Sequence, residues 1–254
     1  MNRPLLDRRQ LEQRNRSSLR YPLGIAEKDY FLAVALSIIY ASPLKDKLVF
    51  KGGTALHHCY LPQYRFSEDL DFTASDKNLQ MEEIGGVLED SGIFRVRKQR
   101  QSSHTIKLDR LQYSGVLGQP GNIKVEIDTT QNVVQEVFAR TYANVWGMEI
   151  QPYTMDVVEI CAEKIRATSG RARYRDFYDL YLLLTELGVT LAEALQLVRV
   201  KEVREPISQS SMILNWQVAK EDQDREIPII FCKKEIDSKK IDRLLAGIEF
   251  DPIT

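Results

Sequence analysis

The sequence predicts a mixed α/β (α+β) N-terminal half followed by a mostly helical C-terminal half. Three observations carry this reading. Up to about Tyr153, short apolar stretches with period-two alternation, such as Glu68 to Thr73 and Asn122 to Thr129, are interleaved with helical patterns. Beyond Tyr153 the apolar spacing becomes helical almost throughout. No internal repeat or low-complexity tract interrupts either half.

The elements follow in chain order. The first ~20 residues are rich in Arg and Gln with few apolar anchors, so they read as a flexible or polar helical segment. From Ala26 to Tyr40, Phe31, Leu32, Val34, Ala35, Ile38 and Ile39 recur at helical spacing, and Ser42-Pro43 ends that buried helix. Leu48-Val49-Phe50 is a short strand leading into Lys51-Gly52-Gly53-Thr54 and a helix from Ala55 to Tyr60, closed by Pro62. After the strand Glu68 to Thr73 comes a helix over Gln80 to Asp90, with Gly85-Gly86 as its weak point. Phe94 to Arg100 and Ser103 to Leu111 read as hairpin strands, Tyr113 to Gly121 as a turn, and Asn122 to Thr129 as a half-buried strand. In the second half, helices are expected over Thr154 to Ala167 with Thr154 as N-cap, over Arg175 to Leu187, and over Thr190 to Val200. The tail from Lys220 is mixed and charged, with a helical stretch near Ile241 to Phe250.

Bulk composition narrows the function classes. The chain has 254 residues, 43% hydrophobic, so a core forms without disulfides or structural metal. With 35 basic and 36 acidic side chains the net charge is −1, which argues against coating nucleic acid by bulk charge but leaves room for a local basic patch. Cys59, Cys161 and Cys232 lie far apart without CxxC spacing and fit free thiols in a reducing cytosol. The basic N-terminus lacks the apolar stretch of a secretory signal, and the longest apolar run, Tyr30 to Tyr40, is too short to cross a bilayer. The expectation is a cytoplasmic protein with no membrane partner.

The chemistry concentrates in LVFKGGTALHHCYLPQYRFSEDLDFT. Residues two apart on a strand face the same way, so Asp69 and Asp71 project from one face while Leu70 and Phe72 anchor the other. Two carboxylates so placed repel unless a divalent cation lies between them. Mg²⁺ suits them, taking oxygen ligands and filling its remaining sites with water and substrate phosphates. Gly52-Gly53 comes off a strand and opens a helix, where backbone N–H groups and the helix dipole favour an anionic phosphate. Thr54 and Ser67 would add hydroxyls, and Lys51 and Arg65 positive charge. Taken singly, a Gly-Gly is usually a turn and a DxD often solvated surface; the order strand, glycine turn, helix, strand with DxD is what favours a phosphate-and-metal cradle.

KGGTAL at Lys51–Leu56 followed by RFSEDLDF at Arg65–Phe72 resembles the signature of the AbiEii/AbiGii family of nucleotidyltransferase toxins, which includes mycobacterial tRNA-modifying relatives. These belong to the DNA-polymerase-beta-like nucleotidyltransferase superfamily, although the connector from Gly53 to Asp69 is longer here than in many members. The resemblance spans roughly 26–187. It implies a polymerase-beta-like catalytic core with a mixed sheet in residues 1–150 and a helical domain in 151–254 that contributes to the active site. It implies a nucleoside triphosphate substrate, a cognate antitoxin protein, and an RNA acceptor, plausibly the 3′ end of tRNA.

A third carboxylate is expected from the strand NIKVEIDT. Glu126 best matches the family's acidic residue there, with Asp128 in reserve, and Asp69, Asp71 and Glu126 form the expected metal set. In EICAEKIRATSGRARYRDFYDL the resemblance gives Lys164 the triphosphate and Asp176 a place in the active site, with Asp179 completing an RDxxD pattern. The bland alternatives are an N-cap for Asp176 and a surface i,i+4 partner for Lys164. Arg166, Arg171, Arg173 and Arg175 form a basic cluster suited to an acceptor phosphate backbone, whereas Arg95, Arg97, Lys98 and Arg100 read first as a solvated strand face. His57 and His58 lack a third ligand at metal spacing and read as structural, and Phe177, Tyr181 and Leu184 as core. The competing functions are nucleotide transfer to a protein or small molecule, and an NTP-binding regulatory module without turnover.

Overall fold

The computed structural model describes residues 5–201, 203 and 205–254; Met1 to Pro4 of the Arg-rich N-terminal stretch lie outside them. Its contacts divide the chain into two compact units, one of residues 1–131 and 137–154 and one of residues 132–136 and 155–254.

The first unit is built on a mixed sheet of seven strands. These are β1 (Leu48–Lys51), β2 (Asp69–Ala74), β3 (Phe94–Gln101), β4 (Thr105–Ser114), β5 (Pro120–Asp128), β6 (Phe138–Ala139) and β7 (Tyr153–Thr154), in the spatial order β3-β4-β5-β2-β1-β7-β6. β2 runs antiparallel to β1 and parallel to β5, so it is hydrogen-bonded on both edges. Its alternation follows from the sequence: Leu70 and Phe72 have no exposed surface while Asp69 and Asp71 are partly exposed. β5 alternates likewise, with Ile123, Val125 and Ile127 buried and Lys124, Glu126 and Asp128 on the opposite face. Each such fully buried Leu or Phe contributes on the order of 1.5–3 kcal/mol.

Helices α1 (Arg8–Arg14), α2 (Leu23–Tyr40) and α4 (Met81–Asp90) complete this unit, with a short α3 described below. α2 is apolar almost all round and lies in the core against β2, β5 and α4. Phe31 on α2 stacks on Tyr113 of β4 with ring centroids 3.9 Å apart. Its buried Asp29 is satisfied by Gln63 Nε2 at 2.7 Å and the indole N–H of Trp146 at 2.8 Å. His58 is buried, stacks on Tyr142 and bonds through Nδ1 with the Ala143 carbonyl at 2.8 Å, and His57 is buried as well. α1 opens on a capping box between Asp7 and Gln10, giving the N-terminal stretch a polar helix.

The second unit contains α5 (Val157–Gly170), α6 (Tyr174–Thr185), α7 (Leu191–Val200), α8 (Gln209–Glu221), α9 (Gln223–Ile230) and α10 (Ser238–Ala246). α5 is its centre, packed by α6, α7 and α8. Trp216 of α8 lies against Tyr174 and Phe177 of α6 and donates its indole N–H to Asp242 at 2.7 Å. A buried charge network ties segment 132–136 to α5. Glu159 accepts the backbone N–H groups of Val134 and Gln135, and Lys201 Nζ lies 2.7 Å from Glu159, 3.1 Å from Glu163 and 2.8 Å from the Asn132 carbonyl.

Several elements differ from expectation. Thr154 is not the α5 cap: it sits in β7 with its hydroxyl donating to the Pro152 carbonyl, and Asp156 caps the helix by accepting from Val158 N–H at 2.8 Å. The turn expected from Tyr113 to Gly121 is shorter, confined to residues 115–119, because β4 reaches Ser114 and β5 begins at Pro120. α8 and α9 fall in stretches with no assigned helix; α8 buries only Met212, Trp216 and Ala219, and its exposed Leu214 and Val218 blur the periodicity. On α6, Tyr181 and Leu184 are half-buried, and the core positions are Phe177, Tyr178, Leu180, Leu182 and Leu183. Burial pushes the Cys59 and Cys161 thiols up to about 12. Among the described residues no helix is long and apolar enough to cross a membrane.

Lys201 and Glu159 have almost no exposed surface. Lys201→Ala should therefore leave a buried carboxylate uncompensated and cost about 3–5 kcal/mol, read as a lower urea midpoint.

Candidate active site

The site in the first unit begins where β1 ends. Lys51 closes the strand in an extended conformation, and the chain turns at Gly52, whose φ of +77° favours glycine, into α3 (Gly52–Ala55). α3 continues as a wider π-type turn, Leu56–Tyr60. A Cβ on Gly52 would run into the Asp71 carboxylate, and one on Gly53 would lie 2.5 Å from Arg65 Nη2 and 2.9 Å from Ser67 Oγ. The two glycines thus bring backbone N–H groups within touch of the acidic strand, at a spacing that a side chain would destroy.

Register completes the arrangement. Asp71 lies opposite Lys51 on one side and Glu126 on the other, and Glu126 opposite Lys107 of β4. Laterally paired residues share a sheet face, so Lys51, Asp71, Glu126 and Lys107 form one transverse row. Asp69, paired with Lys124, stands in the next row on the same face, with its Oδ1 4.0 Å from Lys124 Nζ. The row identifies Glu126, not Asp128, as the carboxylate level with Asp71. An Asp128 oxygen instead accepts from the N–H groups of Thr130 and Gln131 and holds the turn after β5.

Two oxygen donors leaving the same face of β2 beside a glycine turn fit a hard divalent cation and the phosphates it carries. Among the described residues no three His, Cys, Asp or Glu side chains are already gathered as a metal cluster. Glu126 Oε1 is turned to Lys107 Nζ at 2.7 Å, an ion pair exposed enough to give way at a cost within about 1 kcal/mol.

Thr54 and Arg65 hold the turn from beneath. Thr54 is fully buried and its hydroxyl donates to the Asp69 carbonyl at 2.5 Å, so it fixes α3 to β2. Arg65 is buried and donates to the Phe66 carbonyl at 2.9 Å, placing its charge under Gly53.

In the second unit Lys164 and Asp176 are brought together. Lys164 Nζ is 2.8 Å from Asp176 Oδ1 and 2.7 Å from Asp179 Oδ2, and Arg171 Nε is 2.8 Å from Asp176 Oδ2. Neither bland reading holds: Lys164 is buried, and Asp176 lies inside the first turn of α6, whose N-cap is Arg173. Burial alone would raise the Asp176 pKa, but Lys164 and Arg171 outweigh it and hold the carboxyl well below the usual carboxylate range. The sequence reading missed Lys107 as the partner of Glu126 and Arg171 as the partner of Asp176. Strand pairing hides the first, and the second stood in view only as one arginine of a basic cluster.

A family model, the nucleotidyl transferase AbiEii toxin of type IV toxin–antitoxin systems, matches residues 34–245. The chain belongs to the AbiEii family. It is accordingly a nucleotidyltransferase of a toxin–antitoxin system, whose family chemistry pairs a nucleoside triphosphate with a divalent metal ion. The fold is similar to that of MenT4, a nucleotidyltransferase toxin of Mycobacterium tuberculosis, with a TM-score of 0.55 and 18% identity over 93% of this chain and 98% of that one. A nucleotidyltransferase-like structure from H. pylori aligns over 87% of this chain and 96% of its own at 16% identity, with a TM-score of 0.43. No curated protein sequence is significantly similar.

Two outcomes follow from this AbiEii site. Gly52→Ala forces a side chain into the left-handed region and against Asp71; it should lower stability by about 1–3 kcal/mol in thermal melts and cut nucleotide transfer at least about tenfold. Asp176 has a depressed folded pKa, so its ionised form stabilises the protein above the ordinary carboxylate value of about 3.9 and that contribution is lost as pH falls toward the folded value. Urea midpoints should therefore fall more steeply with acid below about pH 4 in the wild type than in Asp176→Asn.

Proposed function

We propose that this AbiEii enzyme transfers a nucleotide from an NTP, with Mg²⁺, to the 3′ end of tRNA in the cytoplasm, under restraint by a cognate antitoxin. The observation that carries the reading is the pair Asp69 and Asp71 on one face of β2, with Gly52 packed against Asp71 and Glu126 level with it. Asp69, Asp71 and Glu126 would hold the ion. When bound, Mg²⁺ neutralises charge at the α-phosphate and orients the triphosphate.

The chain's own residues do the rest. Backbone N–H groups at Gly52 and Gly53, with Lys51 and Ser67 beside them, bind the triphosphate. Arg65 reinforces the turn's positive potential from below. Glu126, released from Lys107, accepts the proton of the acceptor hydroxyl. The hydroxyl oxygen then bonds to the α-phosphorus in line as the bond to pyrophosphate breaks, and most of the acceleration is positioning and charge neutralisation. Following the family resemblance, Lys164 engages the triphosphate and Asp176 is a required residue, both carried by the helical C-terminal part of the chain. The resemblance of KGGTAL and RFSEDLDF to the family that includes mycobacterial tRNA-modifying toxins supports the RNA acceptor.

Purified protein incubated with total tRNA and each labelled NTP should label tRNA only with Mg²⁺ present. Asp69→Asn should lower labelling at least about a thousandfold and abolish growth inhibition. Toxicity that persists in Asp69→Asn, or label in protein or small molecules in place of RNA, would overturn the reading.

A further inference from the structure

On the outer strands β3, β4 and β5 one face of the sheet is the more exposed, whereas β1 is buried on both faces. On these outer strands, the residues sharing the face of Asp69 and Asp71 can be followed through the register. On β5 they are Lys124 and Glu126; on β4, Lys107, which pairs with Glu126, and Gln112, which pairs with Asn122. On β3, Arg100 pairs with Lys107 and Arg95 with Gln112. Arg97 stands beside them, its Nε donating to the Gln112 side chain at 2.8 Å, and Arg100 lies 2.9 Å from Asp109. These arginines are exposed, and the edge strand they occupy carries no acidic residue.

Charge on this face changes from the inner strands outward. The acids Asp69, Asp71 and Glu126 stand at its inner end with Lys51 and Lys124 among them, and there the metal would neutralise them. Moving outward across two strands, about 10 Å at ordinary strand spacing, Asp109 is joined by Lys107, Arg95, Arg97 and Arg100. A groove of about 240 Å³ opens at the outer end, lined by Arg95, Arg97, Gln112 and Ser114 with Leu5 as an apolar wall. The ion pairs made by Arg100 and Lys107 are surface pairs of little weight, so both cations can exchange their partners for phosphate.

We propose that the open face of β5, β4 and β3 is the track for the acceptor polynucleotide, whose backbone runs outward from the reacting 3′ end onto Arg95, Arg97 and Arg100. The inference rests on the proposed RNA acceptor and adds where that acceptor lies. Phosphates repeating along one strand match cations spaced along β3, and an arginine fork takes a phosphate through two hydrogen bonds. The overall charge of −1 makes this a local feature of one face.

The test compares full-length protein with a variant carrying Arg95→Gln, Arg97→Gln and Arg100→Gln; all three side chains are exposed, and unchanged thermal melts establish folding. Fluorescent oligouridylate binding is measured by anisotropy across salt concentrations, with exposed Arg225→Gln as control. The wild type should show a salt slope that falls by about 2 in the triple variant, since each lost single-strand phosphate contact accounts for about 0.7. Affinity should drop at least about tenfold, and KM for tRNA should rise while KM for NTP is unchanged. Wild-type slope and affinity in the triple variant, with tRNA still labelled, would overturn the track alone. A wild type that neither binds oligouridylate nor labels tRNA would overturn the RNA reading and the track with it. Polyglutamate competing as well as RNA would show a surface for acidic protein and also overturn the track.

Discussion

A slip of β2 by one residue would turn Leu70 and Phe72 toward water and drive Asp69 and Asp71 into the core. That prohibition organises the catalytic face. The apolar partners lock the strand against α2, and the lock aims two carboxylates at the side where Gly52 turns. β1 and β5 grip β2 from both edges, so the register that buries Phe72 also sets Glu126 level with Asp71. Core packing and the geometry of the candidate site are one constraint, and neither can drift without the other.

The turn works in the same way. Gly52 takes a positive φ and touches Asp71, Gly53 sits over Arg65 and Ser67, and Thr54 ties α3 to the backbone of Asp69. Three consecutive residues, two glycines and a threonine, thus serve one joint between the acidic strand and the glycine turn. The charges in the second unit are arranged to a similar standard. Lys164 is held between Asp176 and Asp179, and Arg171 braces Asp176 from outside, so the lysine has a fixed position.

Much of this was legible in the sequence because it is local. Alternation over 69–73 and 122–128 gave faces, Gly52-Gly53 gave the turn, and the KGGTAL and RFSEDLDF strings carried the family. What stayed hidden depends on partners distant along the chain. Nothing near Glu126 announces Lys107, and nothing near Glu159 announces Lys201. Two-residue strands such as β6 and β7 have no periodicity to read, so Thr154 looked like a cap when Asp156 held that place. Thr54 follows the Gly-Gly turn and so reads as a further phosphate hydroxyl, while its hydroxyl bonds to the Asp69 carbonyl.

The clamp on residues 132–136 also bears on how the chain can be made. The polypeptide leaves the sheet unit after 131, contributes five residues to the helical unit, returns for 137–154 and leaves again. Lys201, which holds the Asn132 carbonyl, is translated 69 residues after it. During vectorial synthesis the last strands of the sheet therefore emerge before the anchor of the segment preceding them exists. The two units alternate along the sequence, and no single cut between consecutive residues yields two fragments that each keep a whole unit.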